Sequence, residues 1–146
     1  MTSIPVAEQT MAFSLAETLY PLLVRLNTHR TLSSGKLGVL RYLTERGRAT
    51  TSELAAVVHV SPQAISLAVR ELHDLRLVVR VPDHEDRRRT WIELTDAGKQ
   101  ALIQELSAGR AWLDRAVAER LSSNEQNLLE AAIPVLVKLG SEKWIA

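Results

Sequence analysis

Three consecutive arginines, Arg87, Arg88 and Arg89, follow Asp86 within the charged segment Pro82-Asp83-His84-Glu85-Asp86-Arg87-Arg88-Arg89. A guanidinium is a planar, permanently charged fork of N–H donors, so this run suits bidentate recognition of anions. Asp86 is placed to hold and orient a neighbouring arginine. A second group, Ser61-Pro62-Gln63-Ala64-Ile65-Ser66-Leu67 with Arg70 one turn further on, offers small hydroxyls and an amide that both donates and accepts. Arg80 lies between the two groups. Nothing comparable points to catalysis. Cysteine is absent, which removes thiolate nucleophiles, thiolate metal sites and disulfides together. The four histidines, His29, His59, His73 and His84, are scattered without helical ligand spacing. No His-Glu-x-x-His, Gly-x-Ser-x-Gly or phosphate-cradling glycine loop is present. The expectation is a chain with no catalytic residues, no metal site and no cofactor.

Charge says how such arginines must work. Eighteen basic and seventeen acidic residues give a net charge of +1, so the chain is no polycation. Residues 1–60 carry 6 basic and 4 acidic groups, residues 61–100 carry 7 and 7, and residues 101–146 carry 5 and 6. Any polyanion must be met by a few well-placed side chains. A length of 146 residues with 46% hydrophobic and 24% charged content fits one globular domain. The longest apolar runs, such as Ile133-Pro134-Val135-Leu136-Val137, are far short of a membrane span. Met1 to Glu8 lacks a basic stretch followed by an apolar core, so no secretory signal is expected. These features suggest a cytoplasmic protein with no membrane partner.

The elements that must position these residues follow from periodicity. Met11, Leu15, Leu19, Leu22 and Leu26 form an apolar stripe on a first helix, which Pro21 should kink or interrupt. A second helix follows Ser33-Ser34, turns Leu37, Leu40 and Leu43 inward, and stops near Gly47. Thr50-Thr51-Ser52-Glu53 is a capping box that opens a short third helix with Leu54 and Val57 inward. Ser61-Pro62 is an N-cap with proline at the first helical position, and Ile65, Val69, Leu72 and Leu75 are the apolar set of the fourth. The period then drops to two in Val78-Val79-Arg80-Val81 and Thr90-Trp91-Ile92-Glu93-Leu94, an antiparallel hairpin with the arginine run at its tip. Thr95-Asp96 opens a long helix with Leu102, Leu106, Leu113, Val117 and Leu121 in its stripe, about 27 residues and roughly 40 Å. Ser122-Ser123-Asn124-Glu125 caps a last helix, bent at Pro134.

Two helices joined by a tight turn and followed by a hairpin describe a mainly α winged helix-turn-helix, with about six helices and a two- to three-stranded wing. In such a fold the second helix of the pair enters the DNA major groove. Gln63 matches the edge of adenine, and Ser66 can bond a base or a phosphate. Ala64 and Leu67 can meet a thymine methyl, and the helix start at Ser61 favours a phosphate. Arg70 is better placed for the backbone, and a wing arginine can enter the minor groove. The terminal stripes are too apolar to leave exposed. They predict a two-fold homodimer joining Leu15 and Leu19 to Leu113, Val117, Leu136 and Leu139. The winged lobe is expected over residues 32–96, and the dimerisation region over 5–30 and 97–146, within one domain spanning 1–146.

At this point the chain resembles the MarR family of bacterial transcription regulators. The resemblance is carried by Thr51-Ser52-Glu53-Leu54-Ala55, Val60-Ser61-Pro62-Gln63-Ala64-Ile65-Ser66, Leu77-Val78 and Arg80. Its strongest part is Asp83 with Asp86-Arg87-Arg88, then Leu94-Thr95 and Gly98. The resemblance implies a homodimeric, nucleoid-associated repressor on a pseudo-palindromic double-stranded DNA operator, with Arg88 in the minor groove. It also implies release by a small aromatic or phenolic ligand, for which Arg25, His29, Tyr42 and Trp112 mix cations with aromatic faces. Three positions depart from the family pattern. His84 stands where proline is common, Leu67 where many members are polar, and Arg76 where glycine is frequent. The helix before Leu77 is therefore expected to close without a left-handed cap. Two other readings compete: a metal-responsive regulator assembled from His and carboxylates, and a dimeric interaction module without DNA binding.

Overall fold

Every helix start carries a hydroxyl that caps it. The computed structural model describes residues 10–141, and its chain order is α1 (Met11–Asn27), α2 (Ser34–Arg46), α3 (Thr51–Val57), α4 (Pro62–Asp74), β1 (Val78–Pro82), β2 (Thr90–Leu94), α5 (Asp96–Arg120) and α6 (Ser123–Gly140). Thr10, Ser33, Thr50, Ser61, Thr95 and Ser122 each accept a hydrogen bond from an amide in the first turn that follows. Thr50 with Glu53 and Ser122 with Glu125 complete reciprocal capping boxes. The N-terminal segment through Glu8, the expected start of the dimerisation region at residue 5, and its end beyond Ser141 lie outside the described residues.

The fold is mainly helical with a two-stranded antiparallel wing. Its register pairs Val78 with Leu94, Arg80 with Ile92 and Pro82 with Thr90. A third strand is reduced to one residue: Ala49 donates to Ile92 O at 3.2 Å, and Ile92 N donates back to Ala49 O at 2.7 Å. The core sits inside the winged lobe. Leu40 of α2, Leu54 of α3, Ile65, Val69 and Leu72 of α4, Val78 of β1 and Ile92 of β2 are almost fully buried, and Leu102 and Leu106 of α5 close the cluster. No described residue of α1 or α6 is buried within the chain.

The Leu-Thr-x-x-Gly stretch has a specific task. Thr95 Oγ1 donates to the carbonyls of Arg76 (2.8 Å) and Leu77 (3.0 Å) and accepts from Gly98 N (3.0 Å). A Cβ on Gly98 would stand 2.2 Å from Leu77 O, so only glycine lets α5 lie against the end of α4. Gly109 plays the same part further along, where a Cβ would meet Leu26 O at 2.3 Å and hold α1 away from α5.

Three expectations are corrected. Leu75 is not inward: α4 ends at Asp74, Leu75 becomes its C-cap and is 56% exposed, while Ala68 fills the inward row. Of the two outcomes expected at Pro21, a kink or an interruption, the interruption does not occur: α1 continues through it to Asn27. The end of α4 does have a left-handed cap, and Arg76 itself supplies it at φ 62°. Leu77 N donates to Leu72 O (2.9 Å) and Arg76 N to His73 O (3.0 Å), the paired bonds of a Schellman closure.

Candidate nucleic-acid interface

Helical geometry sorts the fourth helix into two faces. Ile65, Ala68, Val69 and Leu72 are buried, which leaves Gln63, Ser66, Leu67 and Arg70 exposed along one outward stripe. Ala64 is half-buried between the faces. Ser61 Oγ accepts from Ala64 N at 3.1 Å, so its lone pair serves the helix while its O–H remains a donor. Leu67 is 50% exposed and borders a shallow groove with Val60 and Gly35. The interior face is fixed by the core, so the outward face is rigid.

The wing is ordered by its own acids. Asp83 N donates to Arg89 O (3.0 Å) and Arg89 N to Asp86 O (2.9 Å), which closes the tip. Asp86 Oδ1 accepts from both Arg88 N (3.0 Å) and Arg88 Nε (3.2 Å). The Arg88 side chain is nevertheless 92% exposed. Asp86 therefore aims this guanidinium without hiding it, and so open a pair adds little stability. The Glu85 amide holds the Asp83 carboxyl below the ordinary carboxylate range, aided by the Asp86 amide, the Trp91 indole and the charge of Arg89. Arg80 is exposed on β1, and Arg87 is exposed at the tip.

Between the wing and α3 runs a groove of about 440 Å³. Thr50, Thr51 and Ser52 line one side, and Asp86, Arg88 and Arg89 the other. Next to it, Trp91 carries two cations: the Arg48 guanidinium lies 4.3 Å and that of Arg89 5.2 Å from the ring centroid. Neither Arg48 nor Trp91 stands out in the sequence. Arg89, just before β2, is two residues from Trp91, a spacing that puts side chains on the same side of extended chain and a signal that was available. Arg48 reaches them only through the Ala49–Ile92 bridge, which no local pattern announces.

Away from this face, α1 crosses α5. Arg25 stacks over Trp112 at 4.9 Å, so two of the four ligand candidates come together. His29 is exposed just beyond α1. Tyr42 is a core residue, 7% exposed, on the inward row of α2 with Val39 and Leu43. One turn and more along α5, Glu105 accepts from the amides of Thr31 (2.8 Å) and Leu32 (3.0 Å) and from the Thr31 hydroxyl. Desolvation pushes the Glu105 carboxyl up, but these bonds outweigh it and hold the group below its ordinary value. Arg30, next to this contact, is lowered by burial and by the charge of Arg41, with Glu105 opposing. Its Nε is buried and unbonded among the described residues. Arg30, Arg41 and Glu105 were also not evident from spacing. Among the described residues no three His, Asp or Glu side chains converge on a possible metal position, and no helix is long and apolar enough to cross a membrane.

Residues 31–89, the segment from the turn before α2 to the wing tip, match the MarR family. The Bacillus subtilis HTH-type transcriptional repressor MdtR is 29% identical over 82% of this chain and 75% of its own length. A solved Pseudomonas aeruginosa transcriptional regulator superposes with a TM-score of 0.77 at 27% identity, covering 96% of this chain and 99% of that one. Bordetella bronchiseptica BpsR, whose DNA binding is regulated by 6-hydroxynicotinic acid, shares the fold with a TM-score of 0.64 at 17% identity, over 97% of this chain and 100% of its own.

Proposed function

We propose that this chain is a transcription regulator of the MarR family and no enzyme, a homodimeric repressor gripping a pseudo-palindromic operator. The recognition helix α4 lies in the major groove, and the wing reaches the minor groove. One observation carries the reading: a single outward row of Gln63, Ser66, Leu67 and Arg70 stands on a rigid helix beside a wing that extends an aimed, open Arg88. Gln63 and Ser66 read bases. Ser61, Arg70, Arg80, Arg87 and Arg89 meet the backbone, and Ala64 and Leu67 supply apolar contact.

Dimerisation rests on what the chain leaves uncovered. Met11, Leu22, Leu23 and Val24 of α1 and Leu128, Ile133, Val135, Leu136, Val137 and Leu139 of α6 are all exposed. Helices with no buried residue are marginal in water, and patches of this kind mark an interface. Leu15, Leu19, Leu113 and Val117 are already half-buried within the chain and form the margin of that interface. For release, the α1–α5 crossing offers an aromatic acid the Arg25 guanidinium and the face of Trp112. Such a ligand weakens DNA binding by favouring a dimer with a different spacing of its recognition helices.

The test is a titration of a labelled duplex, selected by the protein from a random-sequence pool, with and without a panel of aromatic acids. Arg88→Ala should cost about 1–3 kcal/mol per wing at fixed salt while leaving the fold intact. Unchanged affinity would reduce the arginine run to a solvated tip.

A further inference from the structure

We infer that Trp91 is a platform that fixes Arg48 and Arg89 as a paired anchor for the DNA backbone, and that Arg48 is a phosphate contact outside both the recognition helix and the wing tip. The inference rests on the DNA-binding reading above and deepens it. Arg48 and Arg89 come from different parts of the fold, the turn after α2 and the end of the wing loop, yet both guanidiniums stand over one indole. Bringing two like charges to one ring is unfavourable unless something offsets it. The face of the ring attracts each cation, and an anion between or beside them would relieve their repulsion.

Three further observations place that anion outside the chain. Arg48 and Arg89 are exposed while Trp91 is half-buried, so the platform is anchored and its cations are open. Arg48 forms no ion pair among the described residues. The groove beside the stack adds the hydroxyls of Thr51 and Ser52 and the Arg88 guanidinium, all donors with room for a phosphate chain. The platform itself is held twice. Ile92, the next residue, is bridged to Ala49, the residue after Arg48, which locks the turn to the strand. The indole also faces Asp83, whose carboxylate fixes the start of the wing loop. Stacking restricts each long arginine before DNA arrives, so less side-chain freedom is lost on binding. Trp91 is thus a positioning residue, and Arg48 is the group it positions.

The experiment titrates the selected, fluorescein-labelled duplex over a range of salt with the wild type, Arg48→Ala, Trp91→Leu, Trp91→Phe and the Arg48→Ala/Trp91→Leu double variant. Arg48→Ala should weaken all duplexes alike and flatten the log–log salt dependence by about two, one phosphate per protomer. Its preference among base-substituted duplexes should not change. Trp91→Leu should reproduce that loss, Trp91→Phe should retain most of the slope, and the double variant should be weaker than Trp91→Leu by much less than Arg48→Ala is weaker than wild type. If Arg48→Ala keeps the wild-type slope, or if the two losses simply add, the stack is only a rivet at the base of the wing. The DNA-binding reading then survives so long as Arg88→Ala still weakens binding. If the wild type shows no salt-dependent duplex binding, both readings fall. The Arg48→Ala slope decides the claim even if Trp91→Leu does not fold, because Arg48 is exposed and forms no ion pair among the described residues.

Discussion

Gln63 and Arg70 share one exposed stripe of α4 but differ in what they can recognise. An amide on the first turn can pair with one base edge, whereas a guanidinium two turns along is suited to phosphate. Gln63→Ala should therefore relax preference at one base pair per half-site and leave the salt dependence intact. Arg70→Ala should weaken every sequence alike and flatten that dependence. Identical behaviour of the two variants on all duplexes would overturn the assignment. Arg76 permits a second prediction at this scale. It occupies the left-handed region at φ 62° in a Schellman closure, which costs a non-glycine residue about 1–2 kcal/mol. Glycine gives back part of that gain through its larger unfolded-state entropy. Arg76→Gly should raise the urea midpoint by a net amount of about 0.5–1 kcal/mol. A lower midpoint would mean that the Arg76 side chain contributes contacts beyond its backbone role.

The elements themselves were largely legible because their signals are local. Hydroxyl caps at Ser33, Thr50, Ser61, Thr95 and Ser122, the proline at the start of α4 and the change of period at Val78 mark boundaries the structure reproduces. What the sequence hid is tertiary. Leu75 has the helical spacing of a core residue, but the helix ends one position before it. Arg48 meets Trp91 through a one-residue bridge, and Glu105 meets Thr31 across 74 residues. The second of these contacts ties α5 to the turn between α1 and α2, and so joins the long helix to the winged lobe. Its carboxyl is held below the ordinary range, so its contribution is complete above the unfolded value near 4.3 and disappears as pH falls through the lower folded value. Glu105→Gln loses a charge-assisted bond of about 1 kcal/mol, so the melting temperature at neutral pH should drop by roughly 3–5 °C. The gap between wild type and variant should narrow as the solution is acidified below about pH 4. A constant gap through the acid range would show that the carboxylate charge is not what the contact uses.

At the scale of the whole molecule, the proposed affinity for a polyanion must coexist with a net charge of only +1. Placement of single side chains has to reconcile the two, because the wing arginines share their loop with Asp83, Glu85 and Asp86: Asp86 aims an open Arg88, and Trp91 holds Arg48 and Arg89. The exposed apolar faces of α1 and α6 are what a second copy would cover, and a two-fold pair would present two recognition helices about one DNA turn apart. The central claim is therefore that two chains act together on one operator. It is tested most directly by sedimentation of the protein with the selected duplex across a salt series. Two chains per duplex are predicted, from a free protein that is already dimeric at micromolar concentration, with affinity falling steeply as salt rises. A monomeric free protein binding one chain per duplex, or binding that ignores salt, would contradict the claim.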